Sequence, residues 1–308
     1  MEPRRSGLRV IPTPEELEIF RKAGKIAADA RNWAAQNIAP GVLLRELQKG
    51  MEERIRDAGA LPSFPAQTSR NHVAAHYCSS PTDKTRFEEN DLVKIDVGAH
   101  IDGYVTDTGV SVDLSRDGRW SSMIAAASDA LDAAIAMCKP NVLVDDIGDR
   151  VGEVIDGAGF NPILNLTGHG LGHWTLHDRP QIPNVRIGAP GKLEAGFIFA
   201  IEPFATSGRG RVRDDGEPEV FRLTRQPKVS NKIDSEVLDS INEWNGLPIA
   251  RRYFSHLPRK PFERTLKELT KQGVLDEYPP LVEGENDHVG WKEHTIYIGP
   301  DGPEVITL

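Results

Sequence analysis

The chain has 308 residues, 39% of them hydrophobic, and a formal charge of -9. That is enough apolar content for one large core or two smaller ones, and the wrong sign of charge for broad binding to nucleic acid or anionic membrane. No stretch approaches the roughly 20 apolar residues of a membrane span, the opening MEPRRSGLRVIPTPEE lacks the apolar run of a signal peptide, and Cys78 and Cys138 are too few for a disulfide framework. A monomeric cytoplasmic protein with free thiols is expected, with peptides or proteins as partners rather than a membrane or a specific nucleic acid.

After an extension over residues 1 to 12, Thr13-Pro14-Glu15-Glu16 has the form of a capping box with proline at the first helical position, and predicts a helix to about Asn37. The next segment occurs twice. APGVLLRELQKGMEERIRDAGALP (39 to 62) lies over KPNVLVDDIGDRVGEVIDGAGFNP (139 to 162), with identities that include Pro40/Pro140, Val42/Val142, Leu43/Leu143, Ile55/Ile155 and Gly59/Gly159. Leu47/Ile147 and Met51/Val151 share apolar character, which keeps one helical core stripe ending at a glycine in both copies. Strand-like runs follow the first copy at Val73 to Tyr77, Leu92 to Val97 and Tyr104 to Val112. The second copy is preceded by a helix with Met123, Ala127, Leu131, Ala134 and Cys138 on one stripe, and followed by strands at Ile163 to Leu166 and Phe197 to Ile201. Each half reads helix, helix, strands, which predicts a duplicated α+β domain. Residues 207 to 290 read as a helix-rich insertion, with helices from Ser235 to Trp244 and Phe262 to Gln272 and loops at Tyr278-Pro279-Pro280 and Glu283 to Asn286.

Asp96, Asp107, His169, Glu202 and Glu293 stand in short apolar segments. Burying four ionised carboxylates is tolerable only with cations between them or with a good network of donors, and this oxygen-rich set with one imidazole suits two divalent metals in a hydrolytic site. Ile95-Asp96 and Ile201-Glu202 are candidates for matching positions in the two halves, and Glu293 is the expected counterpart of Asp107 across the insertion. Asp102-Gly103 is a hairpin signal. A two-residue turn centred at 101 and 102 puts Asp96 opposite Asp107, one centred at 102 and 103 puts them diagonally on one face, and an odd-length loop puts them on opposite faces. Gly168 and Gly170 beside His169 suit close backbone approach to a site. His76 and His177 remain available as acid, base or hydrogen-bond groups outside the ligand set. His72, His100, His173, His256 and His288 read as surface or structural residues, and a surface position is equally open to His294. Neither cysteine has a nucleophile motif, and no phosphate loop or dinucleotide fingerprint is present.

The motifs NHVAAHY, KIDVGAHIDGYVTDT, NLTGHGLGHWTLH, FAIEPFAT and KEHTI, in that order, resemble the type II methionine aminopeptidases of peptidase family M24, over residues 13 to 308. The resemblance implies the pseudo-symmetric pita-bread fold as a single catalytic domain, with a helical insertion before the last ligand. It implies that Asp96 and Asp107 hold one metal, that Asp107 is shared with the second, and that His169, Glu202 and a bridging Glu293 complete the pair. By the same resemblance His76 and His177 face the substrate, and Phe64, Leu176 and Tyr278 line a methionine pocket. The implied cofactors are two divalent ions (Co, Mn, Fe or Zn), and the implied partners are nascent polypeptides beginning with methionine, with a ribosome contact left open. The implied reaction is metal-assisted hydrolysis of the first peptide bond, with Glu202 as proton shuttle. Asp178-Arg179-Pro180 and Asp83-Lys84-Thr85 depart from the family pattern and bear on fine substrate preference. A proline-specific peptidase of the same fold is the first rival, and a nonenzymatic binding protein on this fold is the second.

Overall fold

The computed structural model describes residues 11 to 308, so most of the expected extension over residues 1 to 12 lies outside the described residues. Helix α1 (Pro14–Asn37) opens on a complete capping box, with Thr13 Oγ1 accepting from the Glu16 N–H and the Glu16 carboxylate accepting from the Thr13 N–H. Helix α2 (Leu44–Asp57) leads into β1 (Leu61–Pro62), β2 (Gln67–Arg70), β3 (Val73–Ala75), β4 (Leu92–Val97), β5 (Ala99–Ile101), β6 (Tyr104–Val105) and β7 (Thr108–Asp113). The second half repeats the plan with α3 (Ser121–Met137), α4 (Val144–Gly157), β8 (Asn161–Pro162), β9 (Thr167–Gly172), β10 (Thr175–Pro183), β11 (Ile198–Ile201) and β12 (Phe204–Thr206).

The inserted segment, from 207 to 290, is more mixed than its helical look suggests. It contains β13 (Arg213–Asp214), β14 (Val220–Leu223), α5 (Ser235–Asn242), β15 (Ile249–Ala250), α6 (Arg259–Lys271), β16 (Leu275–Tyr278) and β17 (Leu281–Val282). The chain then closes with β18 (Val289–Gly299) and β19 (Gly302–Val305). Helix α6 begins earlier than Phe262 because Pro261 falls in its first turn, where a missing N–H is harmless. Phe221, Ile241, Phe254, Phe262, Leu266 and Leu269 give the segment a small core of its own. It docks on the body through β17, which pairs with β3, and through Arg252, whose guanidinium meets buried Glu52 and Cys78. Tyr253 Oη donates to the same Glu52 oxygen at 2.6 Å.

The duplication extends well beyond the helices. α2 and α4 are followed by matching glycines, Gly59 and Gly159, whose φ angles of 81° and 84° favour a residue without Cβ. Leu61 pairs with His100 in the first half, and Asn161 pairs with Thr206 in the second. The central sheet runs β10-β9-β11-β18-β7-β4-β2, so β4 corresponds to β11, β2 to β9, and β7 to β18 across a central seam. Each half covers its share of the sheet with its own helix pair. Ala27, Leu47, Met51 and Ile55 pack with Val93 and Ile95, while Leu131, Ile147, Val151 and Ile155 pack with Phe199 and Ile201.

The hairpin after β4 takes the second of the three registers open to it. Asp102 (φ 50°) and Gly103 (φ 86°) form the turn, His100 pairs with Val105, and Asp96 pairs with Gly109. Asp107 therefore sits diagonally from Asp96 on the same face. The strand expected at 163 to 166 is instead a turn, because the Leu164 N–H and the Asn165 side chain bond to Gly210 and Val212 of the inserted segment. The strand starts afterwards, at Thr167. Its glycines answer the approach of neighbouring strands, since a Cβ on Gly168 would lie 2.3 Å from Ala200 O and one on Gly170 2.2 Å from Arg179 O.

Candidate metal centre

Strand alternation and register deliver the acidic side chains to one place. Ile201 pairs with His294 and Phe204 with Trp291, so the same register sets Glu202 across from Glu293. Glu293 in turn pairs across the seam with Gly109, which is the partner of Asp96. Asp96, Gly109, Glu293 and Glu202 thus lie in one row. The row corrects one expectation: the counterpart of Glu293 in the first half is Gly109, and Asp107 lies two residues away from that position.

Two hydroxyl groups clamp the seam on either side of that row. Thr295 Oγ1 donates to Asp107 O at 2.7 Å and accepts from the Asp107 N–H at 2.9 Å. Ser111 Oγ donates to Trp291 O at 2.7 Å and accepts from the Trp291 N–H at 2.8 Å. Behind them, Thr108 Oγ1 donates to Glu293 O and receives a bond from the buried guanidinium of Arg31, which also donates to Thr307 O. His294 is buried in this network rather than at the surface, with its Nδ1 3.0 Å from Thr307 Oγ1.

One cavity is lined by all ten side chains expected to carry the chemistry: Asp96, Asp107, His169, Glu202 and Glu293, the histidines His76 and His177, and Phe64, Leu176 and Tyr278. His169 Nε2 stands 3.6 Å from Asp107 Oδ2 and 3.8 Å from Glu202 Oε1. Asp107, His169 and Glu293 each offer a ligand atom within 4.8 Å of the others. The His177 ring meets His169 edge-on at 4.4 Å and lies over Tyr278 at 6.0 Å, while His76 abuts Tyr278 at 5.6 Å. His76 is held at a left-handed φ of 68°, a conformation uncommon outside glycine and often found at functional sites.

The electrostatics of the cavity call for cations. Burial, and then the charge of Glu202, pushes the Asp107 carboxyl up to about 8. Burial with Asp107 nearby holds Asp96 well above the usual range, and burial with Asp96 nearby does the same to Glu202. Glu293 is raised by burial and then by the charges of Asp107, Glu202 and Asp96. Burial pushes His76 and His169 down to about 4, so both imidazoles are neutral near pH ~7 and have a lone pair to offer. Asp96 Oδ1, Asp107 Oδ1 and His169 Nδ1 are buried without a hydrogen-bond partner. Orphaned carboxylate oxygens beside a neutral imidazole are a donor set that divalent transition metals fit.

The cavity also has walls that the sequence motifs left out. Lys94 is buried two residues before Asp96, with its ammonium on Asn71 O at 2.7 Å, and Gln67, Ser69, Val220, Pro248 and Trp291 contribute to the lining. Ser69 and Trp291 have a signal in the sequence. Ser69 stands one hundred residues before His169, the spacing of the duplicated helices, and Trp291 precedes Glu293 by two, hence on the same strand face.

Two related halves that bring acidic strand faces together at a shared seam have the architecture of the pita-bread metallopeptidases, and the chain is of that class. The description Metallopeptidase family M24 matches residues 18–222. A methionine aminopeptidase of Archaeoglobus fulgidus is 40% identical over 294 residues, covering 95% of this chain and 99% of that protein. One from Methanocaldococcus jannaschii is 37% identical over 296 residues, 95% of this chain and 99% of that protein. The crystal structure of a methionine aminopeptidase from Thermotoga maritima superposes with a TM-score of 0.71 at 25% identity, covering 97% of this chain and 99% of that one. The chain therefore belongs to metallopeptidase family M24, in its methionine aminopeptidase branch.

Proposed function

We propose that this protein removes the initiator methionine from nascent polypeptides in the cytoplasm, acting as a monomer with two divalent metal ions. The observation that supports this reading is that Asp96, Asp107, His169, Glu202 and Glu293 line one cavity with an apolar wall of Phe64, Leu176 and Tyr278. An unbranched thioether suits such a wall. Asp96, Asp107, His169, Glu202 and Glu293 would hold the ions, whose contribution is to lower the pKa of water until it becomes a nucleophile at neutral pH.

The remaining steps fall to the chain's own groups. Glu202 takes the proton from the attacking water and passes it on towards the leaving amine. His177 donates to the developing oxyanion. His76, neutral at working pH, hydrogen-bonds beside the scissile amide and assists the departing nitrogen. The catalytic unit spans residues 13 to 308, and the inserted segment serves it by supplying Val220, Pro248 and Tyr278 to the cavity. Among the described residues no helix is long and apolar enough to cross a membrane, in keeping with this reading.

The test is peptide hydrolysis by metal-loaded protein. Met-Ala-Ser should be cleaved, with Ala-Ala-Ser and Xaa-Pro peptides left intact. Preferential cleavage of Xaa-Pro peptides would replace this reading with that of a proline peptidase, and no cleavage of any of them would point to a binding protein.

A further inference from the structure

The outer face of α6 carries one sign of charge. Its exposed residues are Arg259, Lys260, Arg264, Lys267 and Lys271, all of them cations, in a chain whose formal charge is -9. No other helix among the described residues presents cations alone: on α1, α2 and α4 they are mixed with carboxylates, and α3 and α5 expose none. Lys260, Arg264, Lys267 and Lys271 fall within about 60° of one another and form a row roughly 16 Å long. The two anions of the helix are drawn to its flanks, Glu263 by Arg251 and Glu268 by Gln272 Nε2 at 3.1 Å. A loop broadens the row. Arg264 Nε donates to Lys232 O at 3.1 Å, the Lys228 N–H donates to Gln272 Oε1 at 2.9 Å, and Gln272 Nε2 donates back to Lys228 O at 3.3 Å. These bonds set the exposed Lys228 and Lys232 alongside α6.

The row works against the helix that bears it. Like charges three and four residues apart repel, and cations in a first turn oppose the helix dipole. α6 has three such neighbours in succession, and Arg259 and Lys260 stand at its start. A polyanion laid along the row offsets both effects. The apolar side of α6 is already occupied, since Phe262, Leu266 and Leu269 fill the core of the inserted segment, so the helix has nothing to sink into a bilayer. In the whole segment Val229 is the one large apolar side chain exposed, whereas protein interfaces centre on apolar and aromatic anchors and are poor in lysine. Fixed cations without such anchors fit a phosphate backbone.

Strand alternation puts the row on the far side of the segment's small sheet from the metal cavity. Phe221 and Leu223 of β14 pack with Leu266 and Leu269 under α6, whereas Val220 lines the cavity. A ligand held along α6 therefore leaves the cavity open. We propose that the inserted segment docks on the sugar-phosphate backbone of double-helical RNA through Lys260, Arg264, Lys267 and Lys271, with Lys228 and Lys232 beside them. The contact follows charge and not base sequence. The choice of RNA over DNA rests on the function proposed above, since nascent polypeptides are made on RNA.

The test is fluorescence anisotropy of a labelled RNA hairpin with the full metal-loaded chain, from about 50 to about 200 mM salt. Wild-type protein should bind, with an affinity that falls steeply across that range. Lys260→Gln, Arg264→Gln, Lys267→Gln and Lys271→Gln combined should weaken binding by about tenfold or more and flatten the log-log salt dependence by about 0.9 per lost phosphate contact. In that variant Tm should hold or rise, and hydrolysis of Met-Ala-Ser should be unchanged. Lys22→Gln with Lys25→Gln, on the exposed side of α1, should bind as wild type does. No binding by the wild type at about 50 mM salt, unchanged affinity in the combined variant, or tighter binding to a matching DNA hairpin or to phosphatidylserine vesicles would overturn the proposal. The binding assay contains no peptide, so its failure is distinct from a failure to cleave methionyl substrates.

Discussion

Glu202, just past the end of β11, falls opposite Glu293 of β18 in the register bracketed by Ile201 against His294 and by Phe204 against Trp291. Two carboxylates so placed repel when ionised, and burial raises both well above the usual range. Cations between them turn the repulsion into coordination. Replacing Glu202 or His169 by alanine should therefore abolish turnover of Met-Ala-Ser and weaken metal binding in calorimetry. Retention of both properties by either variant would remove that residue from the ligand set.

The two hydroxyl clamps make a graded prediction. Thr295→Val and Ser111→Ala each delete a hydroxyl that both donates and accepts, at an expected cost of about 1 to 3 kcal/mol in urea unfolding. Of the two, Thr295 alone holds the backbone of a proposed ligand, Asp107. Metal affinity should fall in Thr295→Val, recover in Thr295→Ser, and stay near wild type in Ser111→Ala.

The metal-free protein should lose stability as pH rises. Asp107 ionises near pH ~4 when unfolded and only at about 8 when folded. Through that window the folded state keeps a proton the unfolded state has released, so the free energy of unfolding decreases with pH. The contribution is fully present below about pH 4 and is lost as pH passes through about 8. Thermal melts of stripped protein should show Tm falling between roughly pH 5 and about pH 8, and added metal should reverse the trend by binding the ionised site.

Arg252 joins the inserted segment to the body at buried Glu52, where Tyr253 also donates. Arg252→Met leaves that carboxylate with less compensation, and should destabilise by about 3 to 5 kcal/mol. Because Tyr278 and Pro248 reach the cavity from the same segment, KM for methionyl peptides should rise as well. A lowered Tm with unchanged KM would uncouple docking from the substrate wall.

Helical repetition and strand alternation are local, and so they are legible in the sequence. Thr13 to Glu16 specify a cap, and the spacing between Leu43 and Leu143 specifies the duplication. Register is less accessible. Asp102-Gly103 leaves two even registers and one odd one open, and pairing between strands distant in sequence decides that Glu293 matches Gly109 rather than Asp107. The glycines of β9 hide a strand, since their role is to admit neighbouring backbones rather than to bury side chains. Trp291 shares a strand face with Glu293, which the sequence shows, but the room for its ring depends on an absent side chain on another strand, at Gly109.

Whether carboxylates from both halves, with His169, hold a pair of metals is decided most directly by calorimetric titration of stripped protein with Mn(II) or Co(II), followed by turnover of Met-Ala-Ser at each point. Saturation at two ions per chain is expected, with activity that depends on their binding. Undiminished hydrolysis by metal-free protein, or saturation at a single ion with full activity, would contradict it.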